Sequence, residues 1–592
     1  MVPSSCPRLL LDTQPDATVD FTARSVLPMV ADGSSAVDGS SRPLPPIPVA
    51  GSKGWLPSMV EVGRQEALLR DMVNEKISSV DVDGSGGNSS DAFFAVDVGC
   101  VLHKYRRWHE CFPRVKPFYA VKCNPNSAVV RVLAMTPGCG FDCASPAEMD
   151  QVLECGVDPS RIIYANPCKD RASLEHALSA GITTMTFDSK DELYKTRRVL
   201  DSRAKAPDGG LGGVSVQMVL RLRVPDSHSD CPLGEKYGAT EDACSELISL
   251  AGKLQLPLVG VSFHCGSGCQ NAQAYPAALA VAKSVFDLAA RQGVKLTLLD
   301  IGGGFPGWDG SEYVYQQPRG DEAEAEIDGW GGGEEPGVEN TLPPPPQPLP
   351  SPPPPPPPLS LAEIARVTVP VLDELFPSSS GVKVIAEPGR YFVEASHLLF
   401  ARIYAKRRLA LQAGADTSGP IGDKANALSD GNERKKTVYY ITEGVNGCFK
   451  DRVLCGVNFE PCPVWPARRQ HRGPFGAAED QREEWKGKGR REGGDGQDQK
   501  DQKDQKDQKD QGEEDAVVMG PSGLSTDVVA RKRLPKSLEP GDWLHFSQMG
   551  AYSASIATVT SSAVLEASIC YVASAPVAGA ATLAVGGDRG DW

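Results

Sequence analysis

The stretch Pro117–Asn124 reads PFYAVKCN. Its apolar run Phe118–Val121 has the composition of a short buried strand. It delivers one lysine, Lys122, and stops at Asn124–Pro125. A lysine just past a buried strand stands where a barrel or α/β sheet opens its active site. Desolvation there lowers the amine's pKa and makes it a nucleophile toward an aldehyde. Taken alone, the commoner reading is a solvated strand end.

Working outward, strands and helices alternate. Phe93–Val98 predicts a strand, Val101–Glu110 a helix and Phe118–Val121 a strand. There follow helix Ala147–Cys155, strand Ile162–Tyr164, helix Ala172–Ala180, strand Thr184–Thr186, helix Glu192–Leu200 and strand Gln217–Arg221. The rhythm continues through helix Cys244–Lys253, strand Leu258–Phe263, helix Ala272–Arg291 and strand Leu296–Asp300. Such alternation predicts parallel βαβ units. Seven or eight units over about 300 residues suit a closed (β/α)8 barrel better than an open sheet.

The remainder of the 592 residues has another texture. Residues 1–57 are rich in Pro, Ser, Gly and Asp and predict disorder, and 58–75 carry a helical pattern before a Gly/Ser/Asp linker at 82–91. Three inserts interrupt the globular pattern: 308–359 with the proline run Leu342–Pro358, the polar stretch 411–434, and 466–515 with four Asp-Gln-Lys repeats. The repeats have no apolar face to bury and the proline run is polyproline II or disordered, so the inserts are expected as surface loops, the proline run as a spacer in preference to a docking segment. Against 61 basic residues stand 76 acidic ones, a net charge of −15, which argues against a nucleic-acid surface. The 16 cysteines have no paired metal spacing, so reduced thiols, a cytoplasmic setting and no metal site are expected. No apolar run of about 18 residues spans a membrane, and the N-terminus, with Asp12, Asp16 and Asp20, does not read as a secretory signal.

Three further motifs fall at predicted strand ends. In DIGGGFPG, Gly302, Gly303 and Gly304 follow the strand Leu296–Asp300 directly, and residues without a Cβ let backbone N–H groups approach a phosphate. In SFHCGSGC, His264 offers a flat face to a ring and Ser267 a hydroxyl to a phosphate. In AEPGRYF, after the strand Val382–Ile385, Glu387 can pair with a heterocyclic nitrogen and Arg390 presents a phosphate-binding fork. Singly these read as a flexible turn, a core histidine and a local salt bridge. Jointly they supply an amine for an aldehyde, an acid for a pyridine nitrogen, a stacking face and a phosphate cradle, which describes a pyridoxal phosphate site.

These motifs, with GFDCAS (Gly140–Ser145), KYGAT (Lys236–Thr240) and GDWLHFSQMGAY (Gly541–Tyr552), closely resemble the eukaryotic ornithine decarboxylase family. The resemblance covers about 92–307, 360–406, 436–465 and 516–572. It implies a fold-type III architecture: a pyridoxal phosphate-binding (β/α)8 barrel over 98–395 and a C-terminal β-domain over 396–592, with 58–97 giving that domain a helix and a strand. It implies a homodimer with sites at the interface, and an amino-acid substrate. By motif, Lys122 resembles the lysine that bonds the cofactor's aldehyde, Glu387 the partner of the ring nitrogen and His264 the stacking residue. Ser267, Gly302–Gly304, Arg390 and Tyr552 match the phosphate cradle, with Pro388 and Gly389 inside the same motif. Asp142 and Arg221 match supporting residues, and Lys236 and Asp527 a bridge between subunits.

The chain departs from that family at the substrate end. The family's Gly-Pro-Thr-Cys-Asp-x-x-Asp carries a proton-donating cysteine and a substrate-binding aspartate. Here Gly520–Asp527 reads GPSGLSTD, so those positions hold Gly523 and Leu524. A second substrate aspartate follows Tyr-Gly-Ser-Phe in the family. Here Asn446–Cys455 reads NGCFKDRVLC, which puts Cys455 at that position and Asp451 four residues before it. Two functions stay open: a decarboxylase acting on ornithine or on lysine, arginine or diaminopimelate, and an impaired homologue that regulates through an antizyme-like partner. A proline-rich scaffold that merely kept a barrel would need no cofactor.

Overall fold

The computed structural model describes residues 73–77, 92–205, 215–307, 359–410, 435–464, 512–557 and 569–572. The segment 1–57, most of 58–91 and essentially all of the three inserts lie outside the described residues. The helical pattern at Ala67, Leu68 and Met72 is therefore not addressed, although Val73–Ile77 is helical.

Eight parallel strands close into a barrel. They are β2 (Val115–Ala120), β3 (Gly140–Cys143), β4 (Ile162–Tyr164), β5 (Thr184–Phe187), β6 (Gln217–Arg221), β8 (Leu258–Ser262), β10 (Leu298–Asp300) and β11 (Lys383–Ala386), with β6 paired directly to β8. The intervening β7 (Ser229–Cys231) and β9 (Ser267–Cys269) form a separate two-stranded ribbon above the rim. Helices α1 (Val98–Cys111), α2 (Ser127–Ala134), α3 (Pro146–Glu154), α4 (Arg171–Ser179), α5 (Lys190–Ala204), α6 (Glu241–Lys253), α7 (Ala274–Arg291) and α8 (Leu361–Leu375) belong to this half of the chain.

Local chemistry starts the helices. Asn126 accepts from the N–H groups of Ala128 and Val129 and so caps α2. Ser145 and Glu148 bond reciprocally at the start of α3, where Pro146 fills the position that needs no N–H donor. The largest hydrophobic cluster lies between strands and helices, with Trp108 packed on Phe112, Phe305 and Tyr391. A smaller cluster of Phe118, Ile163, Ala165, Val219 and Ile385 draws on barrel strands spread around the ring. A barrel of this size is filled, not hollow, so its chemistry belongs at the rim.

The second half is a mixed sheet in the order β14-β17-β12-β13-β15-β16. Its strands are β12 (His397–Ala410), β13 (Lys435–Ile441), β14 (Pro461–Val464), β15 (Glu513–Met519), β16 (Val528–Pro535) and β17 (Trp543–Phe546). The strand before the barrel, β1 (Phe93–Asp97), joins this sheet antiparallel to β12 and parallel to β18 (Ile569–Val572). Two short helices, α9 (Arg390–Val393) and α10 (Asp451–Cys455), complete the set used below.

Several expected limits move. The strand expected over Phe93–Val98 ends at Asp97, whose side chain accepts from Gly99 N–H and turns Val98 into the first residue of α1. Phe118–Val121 is the end of a longer strand beginning at Val115, and Val121–Cys123 forms a 3-10 turn that carries Lys122. Helix α2 and strand β3 were not anticipated as elements. Four residues, GFDC, are too few to display an alternation, and β3 is fixed by pairing with β2 and β4.

Candidate active site

The residues singled out along the sequence converge on one end of the barrel, at the C-terminal ends of its strands. Lys122 follows β2, Asp142 lies in β3 and Arg221 closes β6. His264 and Ser267 follow β8, Gly302–Gly304 follow β10, and Glu387–Arg390 follow β11. A cleft of about 440 Å³ is lined by Lys122, Arg221, His264, Ser267, Glu387 and Tyr552 among others. A smaller pocket beside it adds Asp142, Gly304, Gly389 and Arg390.

Lys122 Nζ donates to Asp142 Oδ2 at 2.5 Å. Burial disfavours the ammonium, but Asp142, Glu387 and Tyr552 outweigh it, and the net effect holds Lys122 above the ordinary lysine range. The expected depression of its pKa is thus corrected: desolvation is present, but carboxylates on the neighbouring strands overcome it. His264 moves the other way, well below the usual histidine range, through burial first and then Arg221 and Lys122. Its Nδ1 accepts from Gly266 N–H at 3.0 Å, so a neutral ring is presented at the cleft.

Glu387 is 7 % exposed and its Oε1 has no hydrogen-bonding partner among the described residues. Burial pushes it well above the usual carboxyl range, helped by Asp300 and Asp142 and opposed by Lys122 and Arg221. A buried acid without a donor suits a ring N–H. At Gly303 a Cβ would stand 2.7 Å from both His264 Nε2 and Glu387 O, so only glycine lets backbone come this close. Gly304 has φ +101°, a conformation glycine adopts without strain. Arg390 is buried, its Nη1 on Glu394 and its Nη2 on Asp451, both at 2.9 Å, and its Nε lacks a partner among the described residues. An orphaned acid, an orphaned guanidinium nitrogen, a glycine cradle and a lysine at one rim fit pyridoxal phosphate.

The β-domain closes one wall. Tyr552, in the segment after β17, donates its N–H to Cys123 O at 3.0 Å, and its ring lies 5.4 Å from the Arg390 guanidinium carbon. Helix α10 adds Asp451, Leu454 and Cys455 to the lining, and the ribbon adds Cys231. Burial holds the Cys455 thiol protonated, reinforced by hydrogen bonds with Cys231 and Asp451.

Other expected positions fall elsewhere. Gly523 and Leu524 lie in the exposed turn between β15 and β16 and do not line the cleft of their own chain. Lys236 is exposed, its Nζ 5.0 Å from the Tyr237 ring. Asp527 is 1 % exposed and accepts from the N–H groups of Val445 and Ser522, a commitment within its own chain. Two residues gain importance only in three dimensions. Asp451 enters the cleft although it stands outside the family's aspartate position, and Asp300, fully buried, stands behind Glu387. The position of Asp300 two residues before the glycine run was the available signal.

Among the described residues no helix is long and apolar enough to cross a membrane, and no cluster of acidic, histidine or cysteine side chains could hold a metal ion.

Residues 98–325 match the family described as pyridoxal-dependent decarboxylase, pyridoxal binding domain. Antizyme inhibitor 2 of Xenopus laevis is 33 % identical over 82 % of this chain and 81 % of its own length. Ornithine decarboxylase of Neurospora crassa is 32 % identical over 86 % of each. Among solved structures, arginine decarboxylase of Paramecium bursaria Chlorella virus superposes with a TM-score of 0.58 at 25 % identity, over 85 % of this chain and all of that one. Relatives of this identity, covered over most of their length and built on the same barrel and sheet, show that the chain belongs to the pyridoxal phosphate-dependent ornithine decarboxylase family.

Proposed function

We propose that this chain releases carbon dioxide from a basic amino acid, with L-ornithine the first candidate and putrescine its product. The single observation that carries the reading is the convergence of Lys122, His264, Glu387 and the Gly302–Gly304 turn on one rim, with Asp451 on the facing wall. Pyridoxal phosphate supplies an electron sink for the pair left behind when carbon dioxide departs. Lys122 would hold the cofactor at its aldehyde, and Asp142 keeps the Lys122 ammonium in place. Glu387 would take the ring N–H, the neutral His264 ring would offer a face to the ring, and Ser267, the glycine turn, Arg390 and Tyr552 would hold the phosphate.

At the substrate end, Asp451 and Glu387 are the only carboxylates lining the cleft among the described residues, and Glu387 is committed to the ring. Asp451 therefore takes the substrate's distal ammonium. It lies one helical turn before Cys455 and so shares that residue's face of α10. Its Oδ2 is on Arg390, and the residue lines the cleft beside Leu454 and Cys455. The chain forms a homodimer in which the partner's turn, bearing Gly523 and Leu524, approaches this cleft.

A second reading rests on Gly523, which has no side chain to return a proton to the α-carbon. On that reading the chain keeps the cofactor without turnover and acts by binding an antizyme-like protein. Carbon dioxide release from L-ornithine by purified, cofactor-loaded protein separates the two, with L-lysine, L-arginine and diaminopimelate assayed beside it. Putrescine formation supports the decarboxylase. A yellow protein that releases carbon dioxide from none of the four sinks that reading and favours the regulator. The double variant Gly523→Cys/Leu524→Asp then raises turnover if the missing donor is the deficit.

A further inference from the structure

Asp300 and Glu387 end adjacent strands of the barrel. In the β10–β11 register Asp300 stands opposite Ile385, and Glu387 lies two residues further along the same line. Both carboxyl groups are buried and within hydrogen-bonding reach of each other. Asp300 Oδ1 accepts from Gly302 N–H at 2.8 Å, whereas Asp300 Oδ2 and Glu387 Oε1 have no donor among the described residues. Two carboxylates cannot donate to one another, so the contact requires a proton.

The charges around the pair lead to the same requirement. Glu387 is faced by Asp300 from β10, Asp142 from β3, Lys122 from the turn after β2 and Arg221 from β6. Asp300 is faced by Glu387, Asp142 and Arg221. His264, beyond β8, is neutral. Three carboxyl groups thus share a buried space with two cations, and one proton balances them. Like charges this close do not both ionise. In keeping with this, burial pushes Asp300 up to about 7.

We propose that Asp300 and Glu387 hold one proton between them in the cofactor-free pocket and release it when the pyridinium ring docks, so that Asp300 makes cofactor capture depend on pH. The ring N–H brings the positive charge that the proton had supplied. Glu387 becomes the carboxylate that accepts that N–H, and Asp300 keeps its bond from Gly302. Asp300 touches no reacting atom and is a positioning residue. The sign follows from linkage: a state that has lost a proton is favoured as pH rises, until the pair is ionised without help from the ring.

The probe is pyridoxine 5′-phosphate, whose alcohol cannot bond to Lys122, so that ring docking alone is measured. Its affinity is read by fluorescence or calorimetry from pH 7 to 8.5 for wild type, Asp300→Asn and Glu387→Gln. Either amide can donate to the remaining carboxylate and removes the need for a shared proton. Titration of the probe itself is common to all three proteins and cancels in the ratio. The ratio of wild-type to variant affinity is expected to rise with pH, by up to tenfold per unit while the free pair still holds its proton and levelling off once it has ionised, and calorimetry in two buffers to count up to one additional proton released by wild type. Glu387→Gln leaves the Asp300–Gly302 contact in place, so its slope reports even if Asp300→Asn disturbs the glycine turn. Parallel profiles in all three proteins overturn the inference alone. Failure of wild type to bind either the probe or pyridoxal phosphate at any pH overturns it together with the cofactor assignment.

Discussion

Asn124 Nδ2 lies 3.1 Å from His397 Nε2 and donates to Gly550 O at 2.7 Å, so the turn that carries Lys122 is tied to the first strand of the β-domain and to the loop before Tyr552. His397 Nδ1 is 2.8 Å from Ser396 Oγ, and that hydroxyl donates to Val393 O. The network is consistent with Nε2 accepting from Asn124 and the proton residing on Nδ1. Two halves of the chain with separate hydrophobic clusters are thus joined by a neutral imidazole.

Acid weakens this joint. Burial lowers His397 to about 4, and His545 on β17 likewise to about 4. Both folded values lie below the ordinary 6.5, so the unfolded chain takes up these protons first. The stabilisation is complete above pH 6.5 and is lost as pH falls toward 4. Between pH 6.5 and 5 each histidine removes roughly 2 kcal/mol. Denaturant unfolding at pH 7 and pH 5 measures the loss, and His397→Gln is expected to make it smaller. An unchanged difference in that variant counts against His397.

The Lys122–Asp142 pair predicts how the cofactor attaches. Lys122→Ala leaves no amine at the rim, so borohydride treatment with pyridoxal phosphate no longer adds a covalent mass at the active-site peptide. Asp142→Asn removes the nearest carboxylate and lowers the pKa of Lys122. More neutral amine is then present at a given pH, and the pH profile of covalent attachment moves down by roughly 1–2 units. An unmoved profile in Asp142→Asn contradicts the electrostatic account.

Gly303→Ala tests the cradle. The added Cβ meets His264 Nε2 and the Glu387 carbonyl at 2.7 Å, and one of these is backbone that cannot swing away. Strain of about 1–3 kcal/mol is expected in unfolding experiments. Affinity for pyridoxal phosphate is expected to fall by an order of magnitude or more, roughly 1.4 kcal/mol per factor of ten. Wild-type affinity in this variant rules out the close approach.

Asp451→Asn tests substrate recognition. Loss of a charged hydrogen bond of roughly 1.5–3 kcal/mol raises KM for L-ornithine about 10- to 100-fold. Asp451 also holds Arg390, so cofactor affinity is measured alongside. A KM unchanged at saturating cofactor removes Asp451 from the substrate site.

The barrel, and the motifs that meet at its rim, were legible in the order of residues alone. Buried parallel strands are runs of apolar residues, and four of them, β2, β8, β10 and β11, are followed within a few residues by a motif whose chemistry is local: a lysine, a histidine, a glycine turn, and an acid with an arginine. The same local logic failed at β3, where four residues carry too little pattern, and at Lys122, whose basicity depends on carboxylates 20 and 265 positions away in the chain. Tertiary structure decided what lies across the cleft. Closure of the barrel brings Asp300 beside Glu387, and packing of the β-domain brings Asp451 and Tyr552 to the rim. A carboxylate's charge state is set by what surrounds it in space, and burial with like-charged neighbours leaves no mark in the order of residues along the chain.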